Sequence, residues 1–189
     1  MKNMIILSSV FLGSSLLASN SPSSIAFSTR VNKKISHKNS NPVGTINIII
    51  DKSDYELSVY DAVGWYATYP VVFGNNRLED KKMEGDRNTP EGTFRITGKR
   101  IDDKWYRFIS IDYPNEESRE KFKIRKERGE IPANARIGGD IGIHGTWPHE
   151  DFQIDRFSNW TLGCISMKNS DVNELYSYLP VGTKVTIRK

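Results

Sequence analysis

One thiol and one imidazole are the side chains of this sequence best placed to do chemistry. Cys164, the only cysteine among 189 residues, lies in Trp160-Thr161-Leu162-Gly163-Cys164-Ile165-Ser166-Met167, and His144 closes Ile141-Gly142-Ile143-His144 ahead of Gly145-Thr146. A thiol becomes a nucleophile when a base takes its proton, and an acyl group under attack needs backbone N–H groups close to its developing oxyanion. Gly163 permits a turn that a side chain would block, so the N–H groups of Gly163 and Cys164 are candidates for that oxyanion site. Thr161 brings a hydroxyl nearby. A lone cysteine is ordinarily a small buried hydrophobe, and a histidine ending an apolar strand is ordinarily satisfied by a backbone carbonyl. The bland reading therefore stands beside the chemical one at this point.

Two other histidines compete for the role of base. His37 lies in a stretch with no apolar period, and His149 sits in the polar Trp147-Pro148-His149-Glu150-Asp151, leaving His144 as the candidate. An imidazole acting as base needs one tautomer, and with no Asp or Asn evidently supplied, the Gly145 carbonyl is the candidate to fix it. A zinc site could be drawn from His144, His149, Cys164 and Glu150 or Asp151. It lacks the two-histidine helical spacing and a second cysteine, so no metal is expected. There is no Gly-x-Ser-x-Gly elbow and no phosphate-cradling glycine loop, and Gly138-Gly139-Asp140 reads as a turn before a strand. Asn159-Trp160-Thr161 matches a glycosylation acceptor, a tripeptide frequent by chance.

The elements that must position these groups fall within residues 45–189, about one domain's length. Residues 1–22, with Lys2 ahead of a serine-diluted apolar run, read as a signal peptide, since a permanent span needs roughly 20 strongly apolar residues. Residues 23–44 read as a basic flexible tether. Five of the 27 Lys and Arg precede residue 45 and all 23 acids follow it, so the domain itself is nearly neutral. The pI near 9.1 belongs to the leader and tether, and nucleic-acid binding is not expected. Export to a bacterial periplasm or cell envelope is the expected location, with no stable membrane span once the leader is removed.

Within the domain, Ile46-Asn47-Ile48-Ile49-Ile50 and Tyr55-Glu56-Leu57-Ser58-Val59-Tyr60 predict a hairpin turning at Asp51-Lys52-Ser53-Asp54. Further strands are predicted at 69–73, 93–97, 107–112, 141–144 and 184–187. Many short strands punctuated by Gly and Pro predict a mainly antiparallel β-sandwich or barrel. Val172, Leu175, Tyr176 and Leu179 fall at helical spacing, with Ser170 or Asp171 as cap and Pro180 and Gly182 as stop. The charged stretch 116–128 predicts an exposed helix, either an edge cover or a lid.

Taken together, the chain resembles the L,D-transpeptidase catalytic domain of the YkuD type. His144-Gly145-Thr146, then about fifteen residues, then Thr161-Leu162-Gly163-Cys164 follow that family's spacing, and Thr89-Pro90-Glu91-Gly92 resembles its segment leading a strand toward the site. The resemblance implies the family's β fold with one or two peripheral helices. It implies Cys164 as nucleophile, His144 as proton donor and acceptor, and no cofactor. Peptidoglycan stem peptides are the implied partners, a tetrapeptide as donor and an amine as acceptor. A 3→3 crosslink is the implied product, and carbapenem-type inhibitors would acylate Cys164.

Thr146, Trp147, Trp160, Thr161, Gly163 and Ser166 are the motif residues expected to touch substrate or wall the cleft. Two departures matter: many members carry His where this chain has Leu162, and Arg where it has Ser166. Arg136, Arg156 or Arg125 is the expected substitute for that arginine. The segment from Tyr113-Pro114-Asn115 to His144 also resembles a branch that includes hydrolases, so an L,D-carboxypeptidase or amidase is the runner-up. A secreted wall-binding module with a vestigial motif is the non-enzyme alternative.

Overall fold

Alternating side chains set the first hairpin. In the computed structural model, which describes residues 41–189, Ile48 and Ile50 of β1 (Asn47–Asp51) and Leu57 and Val59 of β2 (Glu56–Tyr60) are buried, and the two strands pair antiparallel. Asp51 stitches the predicted turn by accepting from the N–H groups of Ser53 and Asp54 at 3.1 and 3.2 Å. The leader at 1–22 and the tether at 23–44, save its last four residues, lie outside the described residues.

Six further strands complete one sheet: β3 (Trp65–Pro70), β4 (Gly92–Asp102), β5 (Tyr106–Ile111), β6 (Gly142–His144), β7 (Ile165–Ser166) and β8 (Lys184–Arg188). Their spatial order is β3-β2-β1-β8-β4-β5-β6-β7. The mainly β class is as expected, and the sheet is mixed, because β1 pairs β8 and β6 pairs β7 in parallel. Each of those pairs joins strands far apart in sequence, which is the circumstance that permits parallel pairing.

The sheet's two ends meet beyond β3, where Val72 N–H donates to Ser166 O at 2.8 Å and Ser166 N–H to Val72 O at 2.9 Å. The candidate site lies beside this seam. The predicted 69–73 strand is thus divided into the end of β3 and the seam bridge at Val72. Inside, Ile48, Ile50, Leu57, Val59, Phe94, Ile96, Ile109, Ile143 and Val185 form one core. Each such fully buried side chain contributes about 1.5–3 kcal/mol relative to exposure.

Helix α3 (Asn169–Tyr178) buries Val172 and Leu175 and packs on β5 and β6. Its N-cap is Lys168, so Ser170 and Asp171 fall in its first turn rather than at the cap. Lys99 on β4 closes its far end by donating from Nζ to the carbonyls of Tyr176 and Leu179 at 2.6 and 2.7 Å. Helix α2 (Phe152–Asp155), not foreseen, is a single turn that buries Ile154.

Helix α1 (Glu116–Glu127) is exposed as predicted, capped by Asn115 Oδ1 accepting from Ser118 N–H, with no buried residue. It is a strap rather than a lid. Arg125 pairs with Asp80 at 2.6 Å and donates to Lys81 O at 2.7 Å, and Lys121 donates to Glu91 O at 3.3 Å. The 80–91 segment so held is also gripped by the buried Lys52, whose Nζ meets Glu91 Oε1 at 2.6 Å and, just ahead of the segment, Glu79 O at 3.0 Å.

Candidate active site

Strand register brings Cys164 and His144 to one place. Ser166 lies opposite His144 and Ile165 opposite Ile143, so the same parallel register carried back one residue sets Cys164 opposite Gly142. Side chains two apart on a strand share a face, so this register sets Cys164 and His144 on one face. Both line an open cleft of about 740 Å³.

The imidazole is tightly specified. His144 Nδ1 lies 2.7 Å from Gly145 O, and because a carbonyl only accepts, Nδ1 carries the proton and Nε2 is left as the acceptor. The ring is buried, parallel to Phe108 at 5.7 Å between centroids and 8° between planes, with Trp105 at 4.9 Å and Trp160 edge-on at 5.7 Å. Burial among these rings pushes the imidazole down to about 4, against the opposing pull of the Gly145 carbonyl. Gly145 must be glycine here, since a Cβ would come within 2.1 Å of Asn169 Oδ1 and 2.9 Å of Trp105 O.

Cys164 sits at the end of a stitched turn. Thr161 Oγ1 donates to Cys164 O at 2.7 Å and accepts from Gly163 N–H at 3.1 Å. Gly163 has φ +128°, and a Cβ there would meet Asn88 O at 2.8 Å, so the strapped 80–91 segment is the wall against which the turn is pressed. Gly163 N–H, expected to face an oxyanion, is therefore committed to Thr161. Cys164 N–H has no intramolecular acceptor among the described residues and is the donor that remains.

The thiol donates to Asp140 O at 3.4 Å, not to His144. Burial pushes it up to about 11, partly offset by the Gly142 N–H that donates to the sulfur. With the thiol pushed up and the imidazole pushed down, a neutral thiol and a neutral imidazole share this cleft at neutral pH. The sign of the pH effect follows, because the thiolate fraction climbs as pH rises toward about 11. Alkylation of Cys164 by iodoacetamide is expected to accelerate about tenfold per pH unit from pH 6 to 9. A rate already at its plateau at pH 6, measured by intact mass, would contradict the neutral pair.

Other predicted residues scatter. Thr161 and Trp160 line the cleft, and Trp160 keeps a buried Nε1–H without an acceptor among the described residues. Trp147, expected to wall the cleft, does not line it and instead stands edge-on to Trp105 at 4.7 Å, 37% exposed. Thr146 is buried with its hydroxyl donating to Asp151 Oδ1 at 2.6 Å, which also accepts from Asn169 N–H, so it anchors α3 and does not reach the cleft. Ser166 is likewise fully buried, its Oγ 3.5 Å from Gly145 O. His149 is exposed at the surface, and no cluster of three metal-ligating residues occurs among the described residues.

Neither Arg125 nor Arg156 lines the cleft. Arg125 is held by Asp80, while Arg156 lies over Phe152. Arg136 pairs with Glu84 at 2.8 Å in an adjoining groove that shares Gly139, Asp140 and Leu162 with the cleft. Asn159 gives its side-chain nitrogen to Tyr55 Oη and Asn76 Oδ1 at 3.0 and 3.1 Å, an engagement at odds with the glycan its tripeptide would permit.

The cleft's far wall comes from the β4–β5 hairpin, which carries Arg100, Lys104, Trp105 and Phe108 into it. None of these was singled out from sequence. Asp102 Oδ1 shapes the hairpin tip by accepting from the N–H groups of Lys104 and Trp105 at 3.0 Å, and the Asp102-Asp103-Lys104-Trp105 turn was the available signal. Trp105 O in turn accepts from Gly145 N–H at 3.0 Å, locking the hairpin to the residue that orients His144.

Comparison with known proteins agrees with this architecture. The family model of the YkuD L,D-transpeptidase catalytic domain matches residues 46–187. A Bacillus subtilis (strain 168) protein named "Putative L,D-transpeptidase YqjB" is 30% identical over 149 residues, 78% of this chain and 74% of that protein. Among solved structures, the helical cell shape determining protein Pgp2 of Campylobacter jejuni shares 22% identity at a TM-score of 0.54, over 84% of this chain and 51% of its own. Bdellovibrio bacteriovorus Bd1075 shares 20% at 0.53, over 84% and 52%. The chain spans about half the length of those two structures, and the likeness to them is one of fold.

Proposed function

The chain belongs to the family of L,D-transpeptidase catalytic domains, and from that premise we propose that it is an exported cysteine acyltransferase acting on peptidoglycan stem peptides. The observation that supports the reading is an imidazole whose Nδ1–H is committed to Gly145 O and which lines the same cleft as Cys164. Nε2 is then free to take the thiol proton as sulfur attacks the carbonyl between the L-centre of the third stem residue and the terminal D-alanine. The new C–S bond forms, and the C–N bond breaks with His144 returning the proton to the departing amine of D-alanine. Cys164 N–H is the donor placed for the oxyanion. A second stem peptide gives its amine proton to Nε2 and attacks the thioester, which yields a 3→3 crosslink and frees the sulfur. Trp105 and Trp160 flank the imidazole and limit water near the thioester. Carbapenems, which acylate thiols, are the expected inhibitors. The site of action proposed is the periplasm or cell envelope.

The experiment is incubation of the purified protein with disaccharide tetrapeptide, followed by product and intact-protein mass spectrometry. Crosslinked dimers together with a tetrapeptide-minus-alanine acyl-enzyme support transfer. Tripeptide without dimers assigns the acyl-enzyme to hydrolysis, and no acyl-enzyme at all sinks the cysteine chemistry.

A further inference from the structure

Ser166, in the cysteine motif, is buried away from the cleft, yet the cleft contains a guanidinium from another strand. Arg100 on β4 lies opposite Phe108 on β5, and Phe108 opposite His144 on β6, so three side chains share one face across three strands. The Arg100 guanidinium lies 4.0 Å above the Phe108 ring, whose other neighbour is the parallel His144 ring. Asp102 fixes its orientation by accepting from both Nε and Nη2 at 3.1 Å, while Nη1 has no partner among the described residues. Its side chain is 54% exposed, in the cleft.

Direction follows from the chemistry. His144 hands a proton to the departing amine, so the leaving residue of the donor lies on the imidazole side of Cys164. That is the side on which the stack continues through Phe108 to Arg100. A departing C-terminal amino acid carries a free α-carboxylate, and a guanidinium with an unengaged edge suits such a planar anion. Lys104, the other cation of the cleft wall, lies over the Trp105 and Trp147 rings at 4.9 and 5.0 Å.

We propose that Arg100 binds the C-terminal carboxylate of the donor peptide and selects donors that end in a free acid. The inference rests on the acyltransfer reading above. Asp102 is a positioning residue for that contact, and Phe108 a spacer that sets the distance from Arg100 to the imidazole.

The test compares a synthetic stem tetrapeptide with its C-terminal carboxamide, using the unaltered protein, Arg100→Gln and Arg100→Lys. The unaltered protein should prefer the free acid by about 10- to 100-fold in kcat/KM, the range of a charge-assisted contact. Arg100→Gln should lose that preference by slowing only on the acid, and Arg100→Lys should keep part of it. Iodoacetamide labelling should stay the same in Arg100→Lys and slow only slightly in Arg100→Gln, since the Arg100 charge is the smallest of the influences that lower the thiol's pKa, and the thermal unfolding midpoint should not change. Undiminished preference in Arg100→Gln overturns the inference, as does an equal loss on acid and amide, which would make Arg100 structural. If the unaltered protein is acylated by neither peptide, the acyltransfer reading itself fails and takes this inference with it.

Discussion

Replacing Cys164 by alanine is expected to abolish acylation and turnover completely while leaving the fold in place. The two halves of that statement have separate physical causes. Chemically, no other thiol exists in the sequence, so nothing can take over as a soft nucleophile, and hydroxyls nearby are unsuited: Thr161 Oγ1 donates to Cys164 O and accepts from Gly163 N–H, and Ser166 is fully buried. Structurally, the sulfur makes only weak contacts, 3.4 Å to Asp140 O and a hydrogen bond from Gly142 N–H, and the turn that presents it is held by Thr161 and by the 80–91 segment against Gly163. Loss of the thiol should therefore cost less than about 1 kcal/mol of stability. The measurement is intact mass after exposure to tetrapeptide or to a carbapenem, paired with thermal unfolding. Adduct formation in Cys164→Ala would place the nucleophile elsewhere and end the proposal. An unfolded variant would mean that the thiol is structural.

How much of this was legible in the sequence depends on the range of the interaction that decides each feature. The β1–β2 hairpin and α3 follow from local periodicity, and both form where the pattern of Ile48, Ile50, Leu57 and Val59 and of Val172 and Leu175 places them. Cys164 and His144 were legible as a spaced pair, but their meeting depends on the parallel β6–β7 register, which joins strands some twenty residues apart. The parallel β1–β8 ladder is more distant still, and no local pattern announces it.

The hidden residues of the cleft have the same explanation. Arg100, Trp105 and Phe108 reach His144 only because β4 and β5 form a long hairpin beside β6, and in the sequence they look like ordinary members of a charged strand pair. Conversely, Thr146 and Ser166 carried the look of site residues because they adjoin the motifs. Packing decides otherwise: Thr146, just past β6, turns to Asp151, whose carboxylate also accepts from Asn169 N–H at the start of α3, and Ser166 is enclosed at the seam with Val72. Proximity in sequence to a reactive residue is thus a weaker guide than the face of the strand it occupies.

The second large effect is expected at His144, and its size depends on what the imidazole does to a neutral thiol. With the thiol pushed up to about 11 and the imidazole down to about 4, peptide acylation needs both groups neutral at the outset, so its rate should be flat across intermediate pH and fall at either extreme. Removing the base should slow acylation by about 10²-fold or more. His144→Ala also empties a space between Phe108, Trp105 and Trp160, and such a truncation costs about 2–4 kcal/mol, so His144→Gln, which keeps more of the volume, is the companion variant. Both should lose acylation by tetrapeptide, whereas iodoacetamide, which reacts with whatever thiolate is already present, should label them at close to the unaltered rate. Added imidazole should restore part of the acylation of His144→Ala by entering the vacated space, and should do nothing for His144→Gln. If acylation proceeds unchanged in a folded His144→Gln protein, the base lies elsewhere. If iodoacetamide labelling collapses together with acylation, the imidazole holds a thiolate in the resting site, and the neutral pair is wrong.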